Sequence, residues 1–364
     1  MKIIDQVRAA RRVSVPLIAI ATPDPAATME IIAKEIDAPA ICWDIVRGVR
    51  PANENGQAAA EAAFGDDAGS ITDPATMLNR ASRLPKESVL FVLQAHRYLE
   101  GPAAEAVVQA IWNLRDAFKA DTRTLVLLGL AFRLPPEIQQ DVLVVDETLP
   151  DGGQLKAIVA SQFEAAQLPS PDDSVLARAV DALRGLAAFP AEQVTAMSLR
   201  RSGLDLDALW ERKRRMIEQG PGLSVSDSGE TYDFLGGLEN AKAFGRRILA
   251  GNAAPKAVVL IDEIEKAMAG ATGDSSGVSQ DLLGTLLTYM QDKAATGIIA
   301  VGPSGSGKSA WAKATGNTGK IPTIAFDLGG MKGSLVGQSE ANIRSALKVV
   351  SAVADDNALW VATC

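Results

Sequence analysis

The sequence predicts an α/β fold in which two sheet-bearing regions are joined by a helical stretch. Three observations predict it. Short apolar runs alternate with helical patterns up to about residue 150; strand signals vanish between Leu155 and Glu218; and the alternation then resumes around a glycine-rich turn at Gly302–Gly307. Strands that alternate with helices call for crossover connections, and these give a mainly parallel, doubly wound sheet.

The elements follow in order. Val15–Ala21 is a run of apolar, partly branched residues closed by Pro23-Asp24-Pro25, which reads as a buried strand. Ala26–Ile36 is helical, and Ala40–Ile45 is a second strand. Gly48–Pro74 is small, polar and rich in Ala and Gly, and is expected to be a loop or mobile insertion. Ser88–Leu93, Thr124–Leu130 and Val142–Val145 are further strands, with an amphipathic helix over Ala103–Lys119. The helical stretch is interrupted at Pro169–Pro171, Pro190 and Gly203, and a Gly/Ser-rich loop follows at Gly220–Glu230. In the last region Ala257–Ile261, Gly297–Val301, Thr323–Phe326 and Ala358–Ala362 are strands. Gln280–Asp292, Lys308–Thr315 and Glu340–Val353 are helices, and Gly270–Gly277 is a flexible loop. The expected domains are 1–154, 155–225 and 226–364.

Composition narrows the functional classes. The chain has 364 residues, more than one typical core needs. With 47% apolar and 22% charged residues it is globular and not disordered. The net charge of −8 argues against a general nucleic-acid-binding surface. Cys42 and Cys364 lie far apart, so neither a disulfide framework nor a zinc site is expected, and a reducing, cytoplasmic setting is the natural one. No apolar run approaches the roughly 20 residues of a membrane span. The basic stretch before Val15 leads into a run too short for a signal peptide. A single histidine, His96, excludes histidine triads and multi-histidine metal sites.

Two segments carry chemistry. Gly302-Pro303-Ser304-Gly305-Ser306-Gly307-Lys308-Ser309 fits G-x-x-x-x-G-K-[ST], entered by an apolar strand and followed by a helix that begins Lys308-Ser309-Ala310. Glycines let such a loop wrap so that its N–H groups point at phosphate oxygens, and the helix N-terminus adds positive potential. Lys308 would reach the outer phosphates of ATP, and Ser309 would place its hydroxyl on Mg²⁺. The strand Ala257–Ile261 ends in Asp262-Glu263. Asp262 suits the Mg²⁺ shell, and Glu263 suits polarisation of an attacking water. Phe234-Leu235-Gly236-Gly237-Leu238-Glu239-Asn240 is by itself only a Gly-Gly turn opening a helix.

At these residues the chain resembles the AAA+ ATPases. In that family the Phe234–Asn240 segment lies beside the adenine, which places Leu235 and Gly236 there. Leu335-Val336-Gly337-Gln338-Ser339-Glu340 resembles the pore-loop segment, with Leu335 where many unfoldases carry an aromatic. Pro16–Ala21, Trp43-Asp44, Gly48, Val89–Leu99, Leu134-Pro135-Pro136-Glu137 and Asp146–Pro150 resemble the first domain of the hypothetical chloroplast-reading-frame ATPases and their bacterial and phage relatives. The resemblance implies a degenerate RecA-like domain, a helical connector and a P-loop NTPase core. It implies ATP and Mg²⁺ as ligands, remodelling of a protein partner, and a homo-oligomeric ring in the complete protein.

Three departures shape the expectation. Thr22-Pro23-Asp24-Pro25 offers neither glycine loop nor lysine, and Gln94-Ala95 replaces acids, so the first domain is not expected to hydrolyse ATP; His96 is expected to be incidental. Asp262-Glu263 precedes Lys308, which implies a permuted core with a normal site. The segment Leu359–Cys364 resembles the strand that leads into a polar sensor residue, and neither that residue, an arginine-finger segment nor a helical lid follows. The chain is therefore expected to be truncated and weakly active or inactive alone. The alternatives are a non-hydrolysing, nucleotide-gated scaffold and a RecA-like, DNA-directed motor.

Overall fold

A computed structural model describes residues 3–101, 104–218, 220, 222–226, 229–265, 278–331 and 338–364. The expected loop at Gly270–Gly277 lies outside the described residues, as do Leu335, Val336 and Gly337 of the pore-loop-like segment. The chain folds into two units, Met1–Thr148 and Leu149–Cys364.

The first unit runs α1 (Ile3–Arg12), β1 (Leu17–Ala21), α2 (Pro25–Glu35), β2 (Ala40–Asp44), β3 (Gly48–Pro51), α3 (Gly56–Phe64), α4 (Pro74–Ala81), β4 (Val89–Val92), α5 (Ala104–Ala120), β5 (Thr124–Gly129) and β6 (Leu143–Asp146). Its sheet has the order β3-β2-β4-β5-β1-β6, parallel except for the hairpin β2–β3. The central strands are buried throughout, as the unbroken apolar runs require when both faces are covered.

The segment Gly48–Pro74, expected as a loop, instead holds β3, α3 and a 3₁₀ turn. The Ala/Gly-rich composition misled because alanine is also the strongest helix former, and Ala59, Ala60, Ala63 and Phe64 are buried. Tertiary contacts secure the segment. The Asn53 side chain accepts from Ala40 N and donates to Ala33 O and Ala38 O, and Trp43 Nε1 donates to Ile71 O at 2.6 Å. The amino-terminal segment is likewise helical: α1 buries Ile4, Val7 and Ala10, exposes Arg8 and Arg12, and turns the half-buried Arg11 toward Thr124 and Glu87 O.

The second unit runs α6 (Gly152–Ala165), α7 (Asp173–Leu183), α8 (Ala188–Ser198), β7 (Leu199–Arg200), β8 (Gly203–Leu204), α9 (Leu206–Glu218), β9 (Leu223–Val225), α10 (Glu239–Leu249), β10 (Ala257–Ile261), α11 (Val278–Asp292), β11 (Thr296–Ala300), α12 (Lys308–Gly319), β12 (Thr323–Phe326), α13 (Gln338–Ala354) and β13 (Ala358–Thr363). Asp151 caps α6 in a capping box with Gln154. The strand order is β11-β13-β10-β12-β9, parallel except for β9. The edge strand β9 lies in the Gly/Ser-rich segment expected as a loop; three residues are too short to carry an alternation signal.

One core joins the helical stretch to this sheet. Leu155, Phe163, Leu183 and Leu209 belong to the same buried cluster as Val259, Phe326, Val350 and Trp360. The opposite sheet face buries Val258, Leu260, Leu359 and Val361 against Tyr232 and Trp311. The result is a mostly parallel α/β architecture of the RecA-like P-loop kind. Among the described residues no helix is long and apolar enough to cross a membrane.

Lys213 is buried in α9, with its ammonium 3.4 Å from Asp181 O and 4.6 Å from the Trp210 ring centroid. Burial outweighs the attraction of Asp181, Arg184 opposes protonation further, and the pKa falls to about 7. Between that value and the ordinary lysine value the unfolded chain binds one more proton than the folded chain. Stability therefore rises with pH across this window. Urea unfolding followed from pH 7 to 10 should show this rise, and Lys213→Met should be more stable at pH 7 and lack it.

Space at two glycines gives opposite outcomes. A methyl at Gly56 would lie 1.9 Å from the Ala40 carbonyl oxygen, a backbone atom that cannot step aside. Gly56→Ala should cost about 1–3 kcal/mol. Among the described residues nothing lies within 4 Å of a methyl at Gly284 in α11, so Gly284→Ala should stabilise by about 0.5–1 kcal/mol. Thermal unfolding reads both.

Candidate functional site

β11 runs into Gly302–Gly307, and α12 begins at Lys308. The loop needs two left-handed residues, Gly305 at φ +78° and Gly307 at φ +84°, where side chains are disfavoured. Ser306 N donates to Pro303 O at 3.2 Å and closes the turn. The first helical bond runs from Trp311 N to Gly307 O. The N–H groups of Lys308, Ser309 and Ala310 therefore have no partner within the helix, the arrangement that favours anions at a helix start. Pro303, Ser304, Gly305 and Ser306 are exposed, whereas Gly302 and Gly307–Ala310 are half-buried. Lys308 Nζ folds over the loop and donates to Gly302 O at 2.6 Å and Pro303 O at 2.9 Å.

The acidic segment arrives from β10. Asp262 lies 47 residues before Ser309 in the chain, yet Ser309 Oγ donates to Asp262 Oδ1 at 2.6 Å. Thr363 Oγ1, at the end of β13, donates to the same carboxylate oxygen and accepts from Glu263 N at 3.1 Å. Partial burial pushes the Asp262 pKa up. The hydrogen bonds from Ser309 and Thr363, with the nearby Lys313 ammonium, outweigh it and hold the carboxyl below its ordinary value. Glu263 sits at φ +53°, a left-handed conformation that costs a non-glycine residue energy and is concentrated at functional sites.

The Phe234–Asn240 segment lies beside the loop. Leu238, at φ +58°, caps α10, and its side chain is 3.3 Å from the position of a methyl on Gly307. Leu235 is half-buried against the Tyr232–Trp311 cluster, and its carbonyl accepts from the buried Lys242 ammonium. Gly236 is exposed. The structure thus brings Asp262, Glu263 and the Gly302–Ala310 segment to one end of the sheet, with the Leu235–Leu238 turn against the loop.

Two residues of the site carry no clear signal in sequence. Thr363 reads there only as the end of a strand. Tyr232 is fully buried, stacks on Trp311 with centroids 6.2 Å apart, and shares a 2.6 Å hydrogen bond with Thr315 of α12. A methyl at Gly245 would lie 2.0 Å from its hydroxyl, so a glycine in α10 makes room for it. An aromatic paired with a helical glycine is a signal too weak to read alone.

The first unit lacks these features at the matching sheet end. Asp24 caps α2 by accepting from Ala27 N, and Thr28 Oγ1 donates to Glu147 Oε2 at 2.6 Å. Two carboxylates beside a helix start repel phosphate. His96 packs edge-on against Phe132, its ring so near Gly129 that a methyl there would sit 2.4 Å from Nδ1; burial lowers its pKa.

The fold is that of a RecA-like P-loop core. Family models agree along the chain: the N-terminal domain of SpoVK-like AAA ATPases matches residues 3–147, their second domain matches 153–220, and the ATPase family associated with various cellular activities (AAA) matches 298–361. The chain belongs to the AAA ATPases, with the SpoVK-like form of its first two domains. Similar curated proteins are each named as an uncharacterized AAA domain-containing protein ycf46. The one from Trieres chinensis is 22% identical over 99% of this chain and 65% of its own length. The one from Guillardia theta is 22% identical over 88% and 55%, and that from Gracilaria tenuistipitata var. liui is 23% identical over 72% and 48%. The chain thus spans about half to two thirds of these relatives.

Tyr232→Phe should remove the bond to Thr315 while keeping the stack, at a cost of about 1 kcal/mol. Chemical denaturation measures this cost.

Proposed function

We propose that this chain is an Mg²⁺-ATP-binding AAA module and that, in the complete protein, it hydrolyses ATP to ADP and phosphate to drive remodelling of a protein partner within a homo-oligomeric ring. The observation that carries the reading is the 2.6 Å contact between Ser309 and Asp262 at the start of α12. Two oxygen donors from distant parts of the chain, one hydroxyl and one carboxylate, meet beside a phosphate-type loop. This donor set suits Mg²⁺, which takes one or two protein oxygens and keeps its remaining positions for water and phosphate. Among the described residues no cluster of three or more His, Cys, Asp or Glu side chains competes for the role.

Each residue has a part in this reading. N–H groups of the loop and of Lys308, Ser309 and Ala310 cradle the phosphates, Pro303 having none to offer, and Lys308 exchanges its loop carbonyls for the outer phosphate oxygens. Ser309 and Asp262 would hold Mg²⁺, which would supply positive charge against those oxygens. Asp262 is already ionised at neutral pH, so no proton need leave before it binds a cation. Glu263 orients and polarises the water for in-line attack on the outer phosphorus. Leu235 and Gly236 flank the base. Family membership supports the nucleotide, and the acidic net charge disfavours a DNA-directed motor.

Titration with a fluorescent ATP analogue and a phosphate-release assay test the proposal together. Lys308→Ala should abolish nucleotide binding. Glu263→Gln should keep binding within about threefold and lower turnover by about 10²-fold or more. Equal binding by Lys308→Ala and wild type would reject the site, and binding without turnover in the wild type would favour a nucleotide-gated scaffold.

A further inference from the structure

Three strand ends make the candidate site, and β13 is the middle one. It pairs with β10 on one side and β11 on the other, through Ile261↔Ala362 and Ala300↔Thr363. The strand that ends in the acids and the strand that enters the loop are therefore never neighbours. Between them lies the tip of β13, and the residue there is Thr363. It is 1% exposed, so its hydroxyl needs partners, and it has two. Oγ1 donates to Asp262 Oδ1 and accepts from the backbone N–H of Glu263 at 3.1 Å.

We infer that Thr363 is a positioning residue that sets the Asp262 carboxylate and the left-handed Glu263 backbone in one geometry, and so tunes the affinity of the site for a divalent cation with nucleotide. The inference rests on the nucleotide-binding reading of the site. A hydroxyl is required because one atom both donates to the carboxylate and accepts from an amide. A methyl in its place does neither and leaves the Glu263 amide without its acceptor. Glu263 needs such support because φ +53° is unfavourable for a side chain with a Cβ. Asp262 needs it for a different reason. Ser309 and Thr363 share Oδ1. Once Ser309 turns its oxygen to a cation, Thr363 is the hydroxyl that still fixes the carboxylate rotamer. Groups that orient a metal ligand in this way change metal affinity by about 10–100-fold when removed.

The test compares nucleotide affinity with Mg²⁺ and with EDTA, using a fluorescent ATP analogue on wild type, Thr363→Val, Thr363→Ser and Lys308→Ala. Thr363→Val should lose about tenfold or more of the gain in affinity that Mg²⁺ confers and keep its metal-free affinity within about twofold. Thr363→Ser, which keeps the hydroxyl, should restore the gain. A merely structural role would lower both affinities together, and that result would overturn the inference. Should Thr363→Val fail to fold, Thr363→Cys, with a weak donor in place, should show a partial loss of the Mg²⁺ gain; an unchanged gain there would overturn it equally. If Lys308→Ala loses nucleotide while Thr363→Val keeps the full Mg²⁺ gain, only the role of Thr363 falls. If Lys308→Ala binds as wild type does, the site reading falls and this inference with it.

Discussion

Parallel pairing of β13 with both β10 and β11 is the constraint on which the second unit depends. It fixes the distance between the strand carrying Asp262 and the strand entering the glycine loop, because adjacent strands lie about 4.8 Å apart and these two are second neighbours. At that spacing the first turn of α12 leans across the tip of β13. Ser309 then reaches Asp262, and Thr363 fills the gap between them. A register slip of one residue in β13 would turn Trp360 from Phe326 and Tyr289 toward the opposite face and would remove Thr363 from the site. The core and the site are therefore specified by the same pairing.

This pairing brings the two segments together whatever their order in the chain. The acidic strand precedes the loop strand in sequence, but the sheet order β11-β13-β10-β12 sets which ends are close. Geometry belongs to strand neighbours, and the connections between them run outside the sheet. The remaining support is local. Tyr232, Trp311 and Thr315 lock α12 against the segment before α10, so the turn at Leu235–Leu238 and the loop share one buried anchor. On the other sheet face, residues of α11 and α13 such as Leu286 and Val350 share one buried core with α6 to α9 and with Val259 and Phe326.

The first unit shows what a similar sheet becomes without the same residues. Its β1 ends in Thr22-Pro23-Asp24, and the start of α2 is satisfied by its own Asp24 with Glu147 close by. The left-handed Gln94 after β4 stands where an acid would be needed, and His96 lies against Gly129 as a packing residue. The two units thus share a mostly parallel sheet and differ in the residues placed at the strand ends.

The sequence by itself determined the α/β class, the long buried strands and the two chemical segments. These are local: apolar runs, glycines at fixed spacing and Asp262-Glu263 at the end of a strand can be read within ten residues. β3, α3, β9 and α1 were not legible. These elements are short or rich in small or polar residues, and they take their conformation from distant partners such as Cys42 for Arg50 and Phe326 for Leu223. Nor could the sequence place Thr363 or Tyr232 in the site. Only the tertiary structure decided that Ser309 meets Asp262 across 47 residues of chain, because strand order is a long-range choice made by the packing of both sheet faces.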